Sequence, residues 1–268
     1  MTAVKLAFSP CPNDTFVFGA MVHGLVNSEG LRFDYRMEDV ETLNTMALSG
    51  RGEVVKVSYH AYLYLSEKYA LLDSGSALGF GNGPLLISKK PCSPDDLQAM
   101  TVAIPGKYTT ANLLLKLALP GVRMKRIMVF SRIEDAILEG EADAGVIIHE
   151  NRFTFEKKGL VKIMDLGEYW EQQTGLPVPL GGIVAKKSLG YETIGKLNRV
   201  LHRSVEFAMQ NPGSVMEFVR CNAREMDEEV MMKHIRLYVN QHTLDLGPEG
   251  KKAVRELIRR SGAVRDLP

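Results

Sequence analysis

His149 follows the apolar run 144–148 directly and opens the polar stretch His149-Glu150-Asn151-Arg152. An imidazole titrates near neutral pH, so a histidine at a strand's carboxyl end can act as a general base where that end meets a cleft. It serves equally well as a hydrogen-bonded structural residue that caps the strand. His60, shortly after Ser58, is a second candidate. His23, His202, His234 and His242 fall in helical patterns or a terminal loop, where structural or solvent-facing roles fit better.

Two loops have the chemistry to hold an anion. Ser9-Pro10-Cys11-Pro12-Asn13-Asp14-Thr15-Phe16 follows a short apolar run and precedes a helical one. Its prolines forbid regular pairing, and Asn13, Asp14 and Thr15 are N-cap types. A helix start presents open N–H groups and favours an anion or a polar oxygen. An ordinary βα turn that binds nothing has the same residues. Cys11 is a nucleophile if the helix start lowers its pKa, but no catalytic motif surrounds it and a small loop filler fits better. The second loop, Gly106-Lys107-Tyr108-Thr109-Thr110-Ala111-Asn112, offers the Thr109 and Thr110 hydroxyls and backbone N–H groups to a carboxylate. It lacks the order of a P-loop.

Lys56-Val57-Ser58 ends another buried run. Ser58 can donate to a substrate oxygen or cap the helix expected near Ala61. The GxSxG context of a nucleophilic serine is missing. Gly79-Phe80-Gly81-Asn82-Gly83 lacks dinucleotide spacing and reads as a flexible approach to a hinge. Trp170, Met226, Met231 and Met232 read as core.

The elements that must position these residues alternate. The pattern predicts strands at 4–8, 54–57, 84–88, 101–104, 126–130, 144–148, 161–165 and 182–186. Helices are predicted at 14–26, 40–49, 61–68, 110–119, 133–139 and 169–174. This is an α/β pattern with largely parallel strands. Beyond residue 190 only helices are predicted, at 193–210, 212–223, 227–240 and 248–261.

A weak internal repeat runs through the chain. Leu6-Ala7-Phe8 with its loop and helix resembles Val102-Ala103-Ile104 with its own. Ala47-Leu48-Ser49-Gly50, leading to 54–57, resembles Ile137-Leu138-Glu139-Gly140, leading to 144–148. Two copies of one plan predict two lobes. Leu85-Leu86-Ile87-Ser88-Lys89-Lys90 and Gly182-Ile183-Val184-Ala185-Lys186-Lys187 flank the second copy and read as paired hinge strands. Lobe one is then 1–90 plus 188–268, and lobe two 91–187. Ligands bind beyond the carboxyl ends of such strands, so both helix starts and both strand ends should face one cleft. Asn13 and Asp14 are placed there with Lys56, Val57, Ser58, Thr109, Thr110, Ala111 and His149.

Composition narrows the function. The 268 residues carry a formal charge of +1, and no Lys/Arg cluster is long enough to ask for nucleic acid or an anionic membrane. No window approaches the ~18 apolar residues of a membrane span. The first apolar run is too short for a signal-peptide core. The three cysteines lie far apart without metal spacing, which favours a reduced, cytoplasmic compartment. No metal ligand set is read. The helical tail either packs on lobe one or supplies a homodimer face.

In order along the chain, the run 9–16 is joined by Glu38-Asp39-Val40-Glu41-Thr42-Leu43-Asn44. Pro105-Gly106 with Thr109-Thr110-Ala111 comes next, then Ile147-Ile148-His149-Glu150 with Arg152-Phe153-Thr154. Gly175-Leu176-Pro177 with Pro179-Leu180-Gly181 completes the set. Together these closely resemble the 1,4-dihydroxy-6-naphthoate synthase family of menaquinone biosynthesis by the futalosine pathway. The resemblance covers the chain to about residue 187; the tail matches mainly in character.

The resemblance implies a type II periplasmic-binding-protein-like fold used as an enzyme. It implies a carbon–carbon lyase that converts cyclic dehypoxanthine futalosine to 1,4-dihydroxy-6-naphthoate without a metal or redox cofactor. It also implies that His149 is the proton acceptor, that Lys56, Val57 and Ser58 form one substrate-contact stretch, and that Thr110 and Ala111 form the other. The expected mechanism places a small carboxylate substrate on the 105–111 loop and a neutral His149 beside it. Proton removal there starts C–C cleavage and aromatisation in a closed cleft. The rivals are a non-catalytic solute-binding protein of the same fold, a chorismate-dehydratase-like sister enzyme, and a ligand-sensing domain.

Overall fold

The computed structural model describes residues 2–223 and 227–262. The first sheet is built from β1 (Thr2–Phe8), β2 (Leu31–Met37), β3 (Val54–Ser58), β4 (Tyr69–Leu71) and β5 (Ala77–Gly79), with α1 (Pro12–Val22), α2 (Val40–Leu48) and α3 (Tyr59–Tyr62) between strands. The chain then enters a second sheet through β6 (Leu85–Ser88), β7 (Val102–Ile104), β8 (Lys125–Ile127), β9 (Ala144–Ile147) and β10 (Val161–Asp165). Its helices are α4 (Thr110–Ala118), α5 (Ile133–Glu139) and α6 (Leu166–Thr174). Strand β11 (Val178–Lys186) returns to the first sheet. Helices α7 (Tyr191–Gln210), α8 (Gly213–Asn222), α9 (Glu228–Tyr238), α10 (Gln241–Leu244) and α11 (Gly247–Ser261) follow. The fold is two-lobed and α/β, with both helix starts and both strand ends at the interlobe cleft, as the repeat predicts.

The two sheets repeat one order. The first runs β2-β1-β3-β11-β4, with β5 also on β11, and the second runs β8-β7-β9-β6-β10. In each, three parallel strands are followed by an antiparallel one. This corrects the pairing expected of the similar segments at 85–90 and 182–187. They resemble each other because β6 and β11 fill the same antiparallel place in different sheets, and they do not pair together. The chain therefore crosses before β6 and again before β11, ahead of the boundaries drawn at 90 and 187.

The tail also divides. Helices α7, α8 and α9 pack around α1 in one core cluster with Val4, Leu6 and Phe8. Helix α1 is buried on every side over Pro12–Met21 because the sheet and these helices enclose it. Gly19 permits that closeness, since a Cβ there would stand 3.1 Å from Val215. Helix α11 instead joins Leu113, Trp170 and Leu166 in the cluster of the second sheet, so the tail is not confined to lobe one.

Other differences are local. The predicted helix at 61–68 is the single turn α3. The strand predicted over 126–130 ends at Ile127. The edge strand β2 was missed although Leu31-Arg32-Phe33-Asp34-Tyr35 alternates at the strand period. Strand β11 begins before Pro179, tolerated where its register with β5 shifts. Met226, read as core, lies outside the described residues.

Candidate active site

The end of β1 and the start of α1 are tied by one carboxylate. Asp14 accepts hydrogen bonds from Ser9 N at 3.1 Å, Ser9 Oγ at 2.8 Å and Asn13 Nδ2 at 3.2 Å. Lys56 Nζ, arriving from β3, stands 3.1 Å from Asp14 Oδ1 and donates to Gly75 O at 2.8 Å. Both charged side chains are buried, so the pair is held by mutual compensation. The Oδ1 of Asn13 is buried with no partner at the cleft wall. Cys11 is buried and hydrogen-bonded to Ser9 Oγ. Burial, reinforced by Asp14, pushes its thiol pKa well up. It stays protonated, in keeping with the loop-filler reading.

Ser58 ends β3 under the control of Asn44. Asn44 Oδ1 accepts from Ser58 N at 2.8 Å, and Asn44 Nδ2 donates to Ser58 Oγ at 3.1 Å and to Glu41 Oε2 at 3.1 Å. The Ser58 side chain makes no cap bond to α3. Its hydroxyl proton is therefore available to an acceptor in the cleft.

The start of α4 is more constrained than its composition suggests. Thr109 Oγ1 donates to Gly106 O at 2.9 Å and accepts from Asn112 N at 3.2 Å. Thr110 Oγ1 donates to Leu180 O at 2.7 Å and accepts from His60 N at 3.3 Å. Both hydroxyls expected to hold a carboxylate are thus committed to the protein. The first helical bond runs from Leu113 N to Thr109 O, which leaves the N–H groups of Thr110 and Ala111 outside the ladder. Any anion contact here rests on those N–H groups. Glu41 reaches across from α2 to accept from Tyr108 N at 2.9 Å, and burial raises its pKa. His60 joins the same seam, its Nδ1 3.1 Å from Thr109 O. That contact ties it to the seam between the starts of α3 and α4.

His149 opens a one-turn segment, His149–Phe153, after β9. Its φ of 58° lies in the left-handed region, costly for a residue with a Cβ. Its ring lies 4.8 Å from Phe130 and 5.9 Å from His234, centroid to centroid. Burial lowers its pKa, Lys56 adds to the lowering, and Glu150 and Asp14 oppose it. The ring is neutral at neutral pH and able to accept a proton. Arg152 anchors the turn by donating to Gly83 O at 2.5 Å and pairing with Asp165 at 3.2 Å.

One trio among the described residues gathers metal-donor atoms. Single atoms of His149, Glu150 and His234 lie within 4.8 Å of one another. The His234 Nδ1–Glu150 Oε2 separation is 3.8 Å, wider than two ligands about 2 Å from one tetrahedral ion would stand. No metal ligand set is assigned.

One cleft is lined by Asn13, Asp14, Lys56, Val57, Ser58, Thr109, Thr110, Ala111 and His149. The structure brings all nine sequence-derived residues together on the walls of this one concave site. Ser9, Asn82, Leu180, Gly181 and Tyr238 also line it and are not among the nine site residues expected from sequence. Leu180 and Gly181 stand in a motif already quoted. Tyr238 comes from α9, where nothing distinguishes it from a core aromatic. A side pocket lined by Cys11, Asp39, Phe130 and Glu150 adjoins His149.

Comparison with known proteins gives one family. A family model described as menaquinone biosynthesis matches residues 4–263. A 1,4-dihydroxy-6-naphtoate synthase of Thermus thermophilus is 44% identical over 263 residues, covering 98% of this chain and 95% of that protein. One from Streptomyces coelicolor is 43% identical over 265 residues, covering 97% and 93%. A crystal structure of an Archaeoglobus fulgidus protein superposes with a TM-score of 0.92 at 36% identity, covering 98% of this chain and 97% of that one. The alkanesulfonate-binding protein SsuA of Xanthomonas axonopodis, bound to MOPS, has a TM-score of 0.73 at 12% identity, covering 100% and 95%. That last likeness concerns the fold alone.

Proposed function

The chain belongs to the menaquinone-biosynthesis family, and we propose that it acts as a 1,4-dihydroxy-6-naphthoate synthase with His149 as its base. The substrate implied by the motif resemblance is cyclic dehypoxanthine futalosine. The observation that carries the assignment is His149 itself, an imidazole at a strand end in a cleft framed by two helix starts.

The N–H groups of Thr110 and Ala111 bind the substrate carboxylate, and the Ser58 hydroxyl donates to a second substrate oxygen. His149 removes a proton, and the electron pair left behind starts C–C cleavage. Formation of an aromatic ring helps drive the reaction, so the protein supplies position, a base and a site closed to water. The Lys56–Asp14 pair fixes the cleft wall and brings no net charge to it.

We further propose a cytoplasmic location. Cys11, Cys92 and Cys221 are free thiols, which suits a reducing compartment. No helix among the described residues is long and apolar enough to cross a membrane.

Incubation of the pure protein with cyclic dehypoxanthine futalosine, followed by mass spectrometry, tests the reading. The naphthoate is the expected product. Saturable binding without product would assign the chain to the solute-binding proteins whose fold it shares.

A further inference from the structure

Glu150 and His234 have polar atoms that the fold leaves unused. Glu150 Oε2 is buried without a hydrogen-bond partner, and so are both ring nitrogens of His234. The His234 side chain is 0% exposed, and its Nδ1 lies 3.8 Å from Glu150 Oε2. A ring nitrogen of His149 lies within 4.8 Å of atoms from both. An unsatisfied carboxylate oxygen beside an unsatisfied imidazole is costly in the resting protein. Positive charge at the third member of the trio would offset that cost.

We propose that Glu150, held by His234, is a positioning residue that stabilises His149 when it takes the substrate proton. This rests on the assignment of His149 as base and deepens it. The proton leaves the substrate and bonds to a His149 ring nitrogen. The electron pair of the broken bond stays on the substrate, and His149 becomes cationic. Glu150 takes no proton in this step. The ring N–H of neutral His234 closes on Glu150 Oε2, as long resting contacts often do in the reacting complex.

The charges around His149 single out Glu150. Asp14 at the start of α1 and Lys56 on β3 cancel through their 3.1 Å ion pair. Asp39 is bonded to the N–H groups of Glu41 and Thr42 at the positive end of α2. Arg152 is paired with Asp165. Burial keeps the Cys11 thiol and the Tyr238 phenol protonated, and keeps His234 on α9 neutral. Glu150 is left as the uncompensated charge beside the base.

Nitrogen-15 NMR of the His149 ring in wild type and Glu150→Gln tests this. The His149 pKa should fall by roughly one pH unit in Glu150→Gln. It should fall less in Glu150→Asp and in His234→Gln, which serve if Glu150→Gln does not fold. In turnover, kcat should drop roughly tenfold in Glu150→Gln with KM little changed, and the acid limb of kcat/KM should move to lower pH. A lower Tm with the His149 titration and pH profile intact would overturn the proposal. Stoichiometric zinc that survives dialysis and is lost in Glu150→Gln would overturn it too, by making the trio a metal centre. The NMR arm needs no substrate, so its outcome stands apart from any failure of the naphthoate reaction.

Discussion

Lys56 Nζ sits 3.1 Å from Asp14 Oδ1, joining β3 to the start of α1 at the cleft wall. The two residues are 8% and 2% exposed, so neither charge is solvated by water once its partner is removed. Lys56→Met should destabilise the protein by about 3–5 kcal/mol, because Asp14 is left buried and uncompensated. Thermal unfolding should show Tm lower by roughly 6–15 °C. An unchanged Tm would mean that Asp14 is not held by this pair.

Ser58→Ala removes a hydroxyl whose proton the fold does not use. Its oxygen accepts one bond from Asn44, so stability should fall by about 1 kcal/mol. If the hydroxyl binds substrate, kcat/KM should fall roughly tenfold, since one hydrogen bond is worth about 1.4 kcal/mol there. Steady-state kinetics beside a melting curve separates the two effects.

The lowered pKa of His149 fixes a sign for pH dependence. A base whose folded pKa lies below its unfolded value stabilises the fold above the unfolded value, near 6.5, and loses that contribution as pH falls through the folded one. His234 shifts the same way, and further. Stability should therefore decline below pH 6.5, and kcat/KM should decline there too as His149 becomes protonated in the free enzyme. His234→Gln should flatten the stability decline. A kcat/KM profile rising toward acid would contradict a neutral His149 base.

Thiol reactivity separates Cys11 from Cys221. Cys221 is exposed, while Cys11 is buried with its thiol held protonated. Iodoacetamide at pH 8 should label Cys221 rapidly in the folded protein and Cys11 only on unfolding, read by mass spectrometry of peptides. Fast labelling of Cys11 would revive it as a nucleophile.

The sequence was most legible where signals are local. The strand, polar loop and capped helix around Asn13 and around Thr110 are written within a few residues, and so is the strand end at His149. The duplicated plan then placed them on one cleft. Sheet membership was less legible, because β6 and β11 have similar strings that suit either sheet. The hydroxyls of Thr109 and Thr110 looked free because their acceptors, Gly106 O and Leu180 O, are backbone atoms that no residue type reveals. His234 and Tyr238 reach the site from α9, and their helical spacing resembles any core-facing stripe. His234 was read as structural for that reason.

The central claim is that His149 removes the proton that starts the reaction. The direct measurement is single-turnover formation of 1,4-dihydroxy-6-naphthoate by His149→Asn, with substrate binding measured in parallel. Binding should remain within a few-fold of wild type, and the chemical step should slow by roughly 10²–10⁴. Turnover at the wild-type rate in a folded His149→Asn protein would contradict the account.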